Sequence, residues 1–387
     1  MKTLQMMDSS GVRATRWLDS VEPIRPGQVE ESSSSAPAAP QETAALEGFA
    51  AELTPDQLRA AYRHMTLARA FDTAATNLQR QGELGLWASC LGQEAAQVGS
   101  ALAIPEQDMV FPSYREHAVA QVRGLPLTAL LPVFRGTRHG GWDPAAHNFH
   151  LYTFVIAAHT LHAVGYATAL TLPPLPGAIR PRPSGVVVYT GDGSTSQGDF
   201  NESLVFAASA GAPVVFVIQN NQWAISVPTR VQSRVPLAQR AAGFGIPHLR
   251  VDGNDVIASY AATRLALEHA HAGRGPYLIE AVTYRRGAHT TSDDPTRYRP
   301  RTEEEAWAAL DPVERLARHL ADDDVPGFVA FQAEVGAEAE QLAQQARAFA
   351  RNNTAGEFAQ VFAHVYGAPH GQVQAEQAAW QAEEEIA

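Results

Sequence analysis

One carboxylate, Asp192, and a pair of amides, Asn220-Asn221, close two apolar runs that stand 29 residues apart (221 − 192), about one strand–helix–strand repeat. A carboxylate with an amide oxygen is a hard-oxygen ligand set, suited to a magnesium ion shared with substrate phosphates. Gly193 and Ser194 follow the carboxylate and lead into a helix start, where free N–H groups and the helix dipole favour an anion. Metal and helix start at one crevice together describe a diphosphate cradle. An isolated Gly-Asp-Gly is more commonly a plain strand-to-helix turn with a capping Asp. The Asn pair at the equivalent point of the next strand tips the balance toward the cradle. Two further groups carry chemistry. Arg115, in Tyr114-Arg115-Glu116-His117, offers a fork of donors that matches phosphate oxygens, although any Arg can instead be half of a surface ion pair. His289 sits on a Gly-, Ser- and Thr-rich run after an apolar strand, and its side chain can exchange a proton near neutral pH.

The elements that position these residues are legible around them. Val186 to Val188 reads as a buried strand, Phe200 to Ala210 as a helix ended by Gly211, and Val214 to Ile218 as a second buried strand. The unit is a parallel crossover whose polar strand ends face one crevice, where open α/β sheets bind ligands. Thr54-Pro55 opens an amphipathic helix carrying Leu58, Tyr62, Met65 and Phe71. Val251 to Val256 is a strand end and cap for a helix to about His269, and Tyr277 to Val282 is a further buried strand. Thr302 onward reads as amphipathic helices to about Arg351, with a frayed acidic end. Residues 1–50, with the run ESSSSAPAAP, read as a disordered tail, and residues 51–387 as one α/β domain with C-terminal helices. The Pro-rich run from Thr171 to Ser184 reads as a surface loop.

Composition narrows the function classes. A chain of 387 residues that is 45% hydrophobic can bury one large core or two modest ones. The net charge of −12 argues against nucleic acid and against anionic membrane surfaces, and no apolar run approaches a membrane span. Cys90 is the single cysteine, so the chain forms no internal disulfide and suits a reducing, cytoplasmic compartment. Five histidines between Arg135 and His162 (His139, His147, His150, His159, His162) lack the paired spacing and acidic partner of a zinc site.

The wording GDGSTSQGDFNES…FVIQNNQWAIS resembles the alpha subunit of the thiamine-diphosphate-dependent decarboxylating component of 2-oxo acid dehydrogenase complexes. RQGELGLWASCLGQEAAQVGSAL, FPSYREH and TYRRGAHTTSDDPTRYRP are similar to other segments of that family. The resemblance implies a thiamine-diphosphate-binding α/β fold, with a mainly parallel sheet and helices on both faces. It implies Mg2+ held by Asp192, Asn221 and the Trp223 backbone carbonyl. Cofactor contacts follow at Tyr114, Arg115, Gly191, Gly193, Ser194, Gln219, Arg285 and His289, with Ile156 propping the aminopyrimidine ring. Leu86, Trp87 and Tyr114 correspond to the family's substrate pocket. His289 is the catalytic residue, assisting acyl transfer to a lipoyl group. The family also implies a beta subunit that supplies the carboxylate facing the aminopyrimidine, a heterotetramer of two alpha and two beta chains, and a lipoylated acyltransferase partner. A branched-chain 2-oxo acid is the favoured substrate, as in branched-chain amino acid catabolism. Pyruvate, an acetoin-cleaving or non-oxidative relative, and a non-catalytic partner subunit remain alternatives. The family's structural potassium site is weakened by Phe154, Ala158 and His159, and the position phosphorylated in mitochondrial relatives is Thr290.

Overall fold

Alternation along three adjacent strands divides the molecule into layers. The computed structural model describes residues 1–23, 40–138, 140–173, 184–323, 325–352, 359–363 and 365–384. Its main sheet has seven strands: β1 (Thr3–Met7), β2 (Arg13–Leu18), β3 (Met109–Phe111), β4 (Val186–Gly191), β5 (Val214–Asn220), β6 (His248–Asp252) and β7 (Tyr277–Val282). They lie in the order β2-β1-β6-β7-β5-β4-β3, all parallel except β2, which returns antiparallel on β1. Val187, Tyr189, Val215, Val217 and Ile279 point into one core cluster, and Val186, Val188, Val214, Phe216 and Leu278 into the other. That period of two, buried on both faces, is what a parallel sheet between two helical layers requires.

The first layer contains α1 (Pro40–Glu52), α2 (Pro55–Arg80), α3 (Glu94–Leu102) and, later in the chain, α6 (Val256–His271). The second contains α4 (Ala158–Thr171) and α5 (Gly198–Ala210). Beyond α6, α7 (Pro312–Asp323) and α8 (Val325–Asn352) pack back on α2. Local chemistry sets several boundaries. Thr54 and Gln57 form a reciprocal capping box at the start of α2, and Asp255 caps α6 through the Ile257 and Ala258 N–H groups. Gly211, at φ +59°, ends α5 in the left-handed conformation that a side chain disfavours. Among the described residues no helix is long and apolar enough to cross a membrane.

The structure corrects both ends of the chain. Residues 3–7 and 13–18 are not a tail but strands of the sheet, and α1 occupies 40–52. Every residue of β1 is buried, with Leu4 paired to Val251 of β6. Its Met6 and Met7 N–H groups each donate to Asp255 Oδ2 at 2.6 Å, and Gln5 donates to Asp252 at 2.9 Å. These partners lie some 250 residues downstream, so no local pattern announces the strand. The ESSSSAPAAP run lies almost wholly outside the described residues, as does most of the Pro-rich run before β4. The acidic C-terminal stretch is helical over Gly371–Glu384 and largely exposed.

Candidate active site

In-register pairing of Gly191 with Gln219, and of Asn220 with Val282, brings the ends of β4, β5 and β7 to one rim of the sheet. A cavity of about 260 Å³ opens there. Asp192 and Asn221, the two residues whose spacing suggested a crevice, both line it. Asp192 is buried, and its Oδ2 accepts from Thr229 Oγ1 at 2.9 Å and Gln232 Nε2 at 3.0 Å. Burial raises its carboxyl above the usual range, and those two hydrogen bonds oppose the rise.

Of the amide pair, the structure assigns Asn220 to bracing and Asn221 to the cavity. Asn220 donates to Glu280 at 2.8 Å and accepts from the Gln222 N–H at 3.2 Å. The end of the Asn221 side chain facing Asp192 lies 3.2 Å from Asp192 Oδ1 and 3.1 Å from the Trp223 carbonyl oxygen. With the amide oxygen at that end, three oxygens meet with no proton between them, the arrangement a cation satisfies. With the amide turned, its NH2 bridges the other two oxygens and no cation is required. The first state presents the hard-oxygen set expected from the sequence, and the second closes it.

A short hairpin, Trp223–Ala224 with Val227–Pro228, closes over this point. It needs unusual backbone: Gln222 and Ile225 have φ of 74° and 53° without being glycine, a cost seen where a site over-determines its loop. It also needs Gly193, where a Cβ would stand 2.8 Å from the Ala224 Cβ. Gly193 and Ser194 line the cavity from a single 3-10 turn, Asp192–Ser196, and α5 follows from Gly198, two residues before the expected start at Phe200.

The opposite wall is cationic. Arg115 is buried and sends Nη1 to the Ser89 carbonyl and Nη2 to the His289 carbonyl at 2.7 Å. The His289 Nδ1 receives two guanidinium donors, from Arg115 at 3.3 Å and Arg285 at 3.4 Å, so Nδ1 is the acceptor and the proton sits on Nε2. Burial first, then the two neighbouring guanidinium charges, push the His289 pKa down to about 3. The ring is neutral around pH 7. Tyr114 completes this wall, its ring lying edge-on to His289 at 6.3 Å and stacked on Phe154 at 5.6 Å.

Three expected site residues sit elsewhere. Arg285 is fully buried behind the hairpin, donating to the Trp223 carbonyl at 2.9 Å and the Ile225 carbonyl at 2.7 Å. It supports the hairpin and does not line the cavity. Trp87 is fully buried, donates to Asp72 at 2.9 Å and stacks on His117, while Leu86 lies beside it on the backbone of Phe134. Neither lines the cavity; a large ring next to Gly-rich turns served the core. The apolar lining comes from Ile156, Ala224 and Ile225 instead.

Five lining residues were not singled out from the sequence: Gln93, Ser113, Glu116, Ala224 and Ile225. Glu116 is buried, and its carboxylate accepts Gln219 Nε2 at 2.7 Å and the Arg115 N–H at 3.1 Å. Burial raises its pKa to about 7. Gln219 in turn accepts from Gln97 at 2.9 Å, so the amide expected to contact a cofactor is held from both sides. Gln93 lies against Asn221, accepting its Nδ2–H at 3.1 Å. A carboxylate directly after Arg115 was the available signal for Glu116; Gln93, at the head of α3, offered none.

The histidine-rich stretch has separate, local uses. His159 Nε2–H donates to the Tyr189 carbonyl at 2.7 Å, His150 stacks on Phe111 at 4.6 Å, and His162 is exposed. His139 lies outside the described residues.

Comparison with known proteins agrees with this geometry. The family described as dehydrogenase E1 component matches residues 62–354. A Mycobacterium tuberculosis protein named 3-methyl-2-oxobutanoate dehydrogenase subunit alpha is 48% identical over 272 residues, covering 70% of this chain and 72% of the relative. A Staphylococcus aureus protein named pyruvate dehydrogenase E1 component subunit alpha is 41% identical over 276 residues, covering 71% and 73%. The match spans the β3, β4, β5 and β7 strand ends that build the cavity, and the chain belongs to the dehydrogenase E1 component family, among the alpha subunits of 2-oxo acid dehydrogenases.

Proposed function

We propose that this chain is the alpha subunit of a cytoplasmic branched-chain 2-oxo acid dehydrogenase. It acts with a beta subunit, two of each, to decarboxylate 3-methyl-2-oxobutanoate and related 2-oxo acids and to pass the acyl group to a lipoylated acyltransferase component. The observation that carries this reading is the convergence of Asp192 Oδ1, the Asn221 amide and the Trp223 carbonyl within 3.2 Å at the strand ends. That donor set fits Mg2+, and the cavity beside it, with Arg115 and His289 opposite, fits thiamine diphosphate. The Trp223 carbonyl has two lone pairs, so donation from Arg285 leaves one for a metal.

Thiamine diphosphate, when bound, supplies the carbanion and the electron sink for decarboxylation. The chain's part is to hold and to move protons. Asp192, Asn221 and Trp223 would hold the metal. Arg115, Ser194 and Gly193 would meet the diphosphate, with Tyr114 and Gln219 beside it, and Ile156 would bear on the ring system. Arg285 fixes the hairpin that offers the Trp223 carbonyl. His289, neutral with its proton on Nε2, can donate a hydrogen bond to an anionic oxygen, as one develops during acyl transfer.

The carboxylates lining the cavity are Asp192 and Glu116, the first directed to the metal position and the second to Gln219. We infer from the family resemblance that the beta subunit supplies the acid–base carboxylate for the aminopyrimidine. Phe154, Val155, Ile156 and Ile225 are 46%, 69%, 41% and 53% exposed around the mouth, an apolar rim that suits burial against that partner.

The apolar lining supports a branched substrate, as does the higher identity to the relative named for 3-methyl-2-oxobutanoate. Pyruvate remains the second reading, because the other relative carries that name and the two methylenes that separate the acids are worth only about 1–3 kcal/mol of discrimination each. The test is reconstitution with the beta subunit and the lipoylated component, comparing kcat/KM for 3-methyl-2-oxobutanoate and pyruvate. Preference for the branched acid, with no turnover by the alpha chain alone, is expected. Decarboxylation by the isolated alpha chain would overturn the shared-site reading, and preference for pyruvate the substrate.

A further inference from the structure

Gln93 touches neither the reacting region of a substrate nor a metal position directly, yet the chain invests heavily in placing it. It stands at the head of α3 and is buried at 1% exposure. The turn before it is pinned to the strand that carries the His289 loop. Thr283 Oγ1 donates to the Gly92 carbonyl at 2.6 Å, and the Arg286 N–H to the Leu91 carbonyl at 3.1 Å. Gly92 has φ of +93°, and a Cβ there would stand 2.2 Å from the Tyr284 carbonyl oxygen, so this approach is open to glycine alone.

What the placement achieves is a polarity. Gln93 Oε1 accepts the Asn221 Nδ2–H at 3.1 Å, which leaves the Asn221 oxygen facing Asp192 Oδ1 and the Trp223 carbonyl. Gln93 Nε2 is buried and has no hydrogen-bond partner among the described residues. If Asn221 turned alone, its oxygen would face Gln93 Oε1, oxygen against oxygen. The two amides can therefore turn only together, with Gln93 then donating through the Nε2 that is otherwise unpaired.

We propose that Gln93 is a positioning residue for the metal site. It accepts from Asn221 and so aims the Asn221 oxygen at the cation, and the paired amides turn over to close the site when no cation is present. In the closed state the Asn221 NH2 bridges Asp192 and the Trp223 carbonyl and Gln93 donates to the Asn221 oxygen, while the Trp223 N–H gives up the Asn221 oxygen it reaches at 3.3 Å in the open state. In the open state Gln93 Nε2 is a free buried donor on the cavity wall, available to an anion that arrives with the metal. This inference rests on the magnesium reading of the site given above.

The test is Mn2+ binding, followed by electron paramagnetic resonance on the assembled alpha and beta chains with thiamine diphosphate. It is a double-mutant cycle between Gln93→Met and Asn221→Asp. Gln93→Met removes the acceptor and should weaken Mn2+ binding by about ten- to a hundred-fold, the usual effect of losing a group that orients a ligand. Asn221→Asp presents oxygen whichever way it turns, so in that background Gln93→Met should change Mn2+ affinity by no more than about twofold. Gln93→Glu keeps the acceptor and should retain tight binding. An equal loss in both backgrounds, or failure of Gln93→Glu to retain binding, would reduce Gln93 to a structural residue. No loss with Gln93→Met would remove the proposal while leaving the magnesium site standing. Failure of the unaltered protein to bind Mn2+ at all would remove both.

Discussion

Arg115 holds His289 twice, with Nη2 2.7 Å from its carbonyl oxygen and 3.3 Å from its ring Nδ1, across 174 residues of sequence. The guanidinium thus fixes both the backbone of the loop after β7 and the tautomer of its ring. Replacing Arg115 by Ala should release that loop and remove a diphosphate donor together. Each charge-assisted hydrogen bond contributes about 1.5–3 kcal/mol, so cofactor affinity should fall by roughly 10- to 100-fold. Lys should restore little of it, because one ammonium cannot reproduce the fork. Cofactor titration would show the loss, and hydrogen exchange over residues 286–293 the loosening. Unchanged affinity would mean that Arg115 serves the loop alone.

Asp192 presents a conflict between stability and binding. It is buried, its pKa is raised by burial, and no cation pairs with it directly in the hydrogen-bond pattern of the site. Asp192→Asn should therefore leave the cofactor-free protein as stable as before or slightly more so, while abolishing stabilisation by thiamine diphosphate with Mg2+. Thermal unfolding with and without those ligands reads both effects at once, since a ligand that binds the folded state raises its apparent stability. A variant that is strongly destabilised without ligand would contradict this account of the carboxylate.

Burial raises Glu116 from an ordinary 4.5 to about 7, so the folded chain retains a proton there that the unfolded chain has released. Between those values stability falls as pH rises. His117 and His289 act oppositely: burial lowers both to about 3, so the unfolded chain alone takes up protons below about 6.5, and stability falls as pH drops. Glu116→Gln removes the first contribution and leaves the second. Relative to the unaltered chain the variant should gain of order 2 kcal/mol between pH 5 and pH 8, measured by urea unfolding at the two values. A constant difference across that range would show that Glu116 is not held protonated by its surroundings.

How much of this was legible depended on distance along the chain. The Gly-Asp-Gly turn, the Asn pair and their strands are local, and each element formed within a few residues of its expected bounds. The Thr54 cap and the Gly211 stop are local as well. What could not be read was direction. Arg285 and Trp87 stand on the expected segments, but their side chains turn to the hairpin and to Asp72, a choice made by packing rather than by spacing. Spacing alone does not separate Asn220 from Asn221, although the resemblance names the second, and β-strand alternation at the end of β5 is what turns one to Glu280 and the other to Gln93. The first strand was hidden for the same reason in its extreme form, since TLQMM becomes a strand through Asp252 and Asp255.

That dependence can be measured. The Asp255 carboxylate accepts four N–H groups: Met6 and Met7 at 2.6 Å, Ile257 at 2.9 Å and Ala258 at 3.1 Å. It joins the β1 backbone to the start of α6 at a point where Gly253 also meets the Val282 carbonyl at 2.7 Å. Asp255→Ala removes a helix cap, about 1 kcal/mol, and strands the two buried donors of β1 at about 1–3 kcal/mol each. A total loss of roughly 3–5 kcal/mol in urea unfolding is expected, with Asn, which keeps one acceptor oxygen, falling between. Removing residues 1–8 should reproduce the β1 share while leaving the α6 cap intact, because Ile257 and Ala258 bond to the other carboxylate oxygen. A truncated chain of unchanged stability would mean that β1 rests on the sheet without holding it.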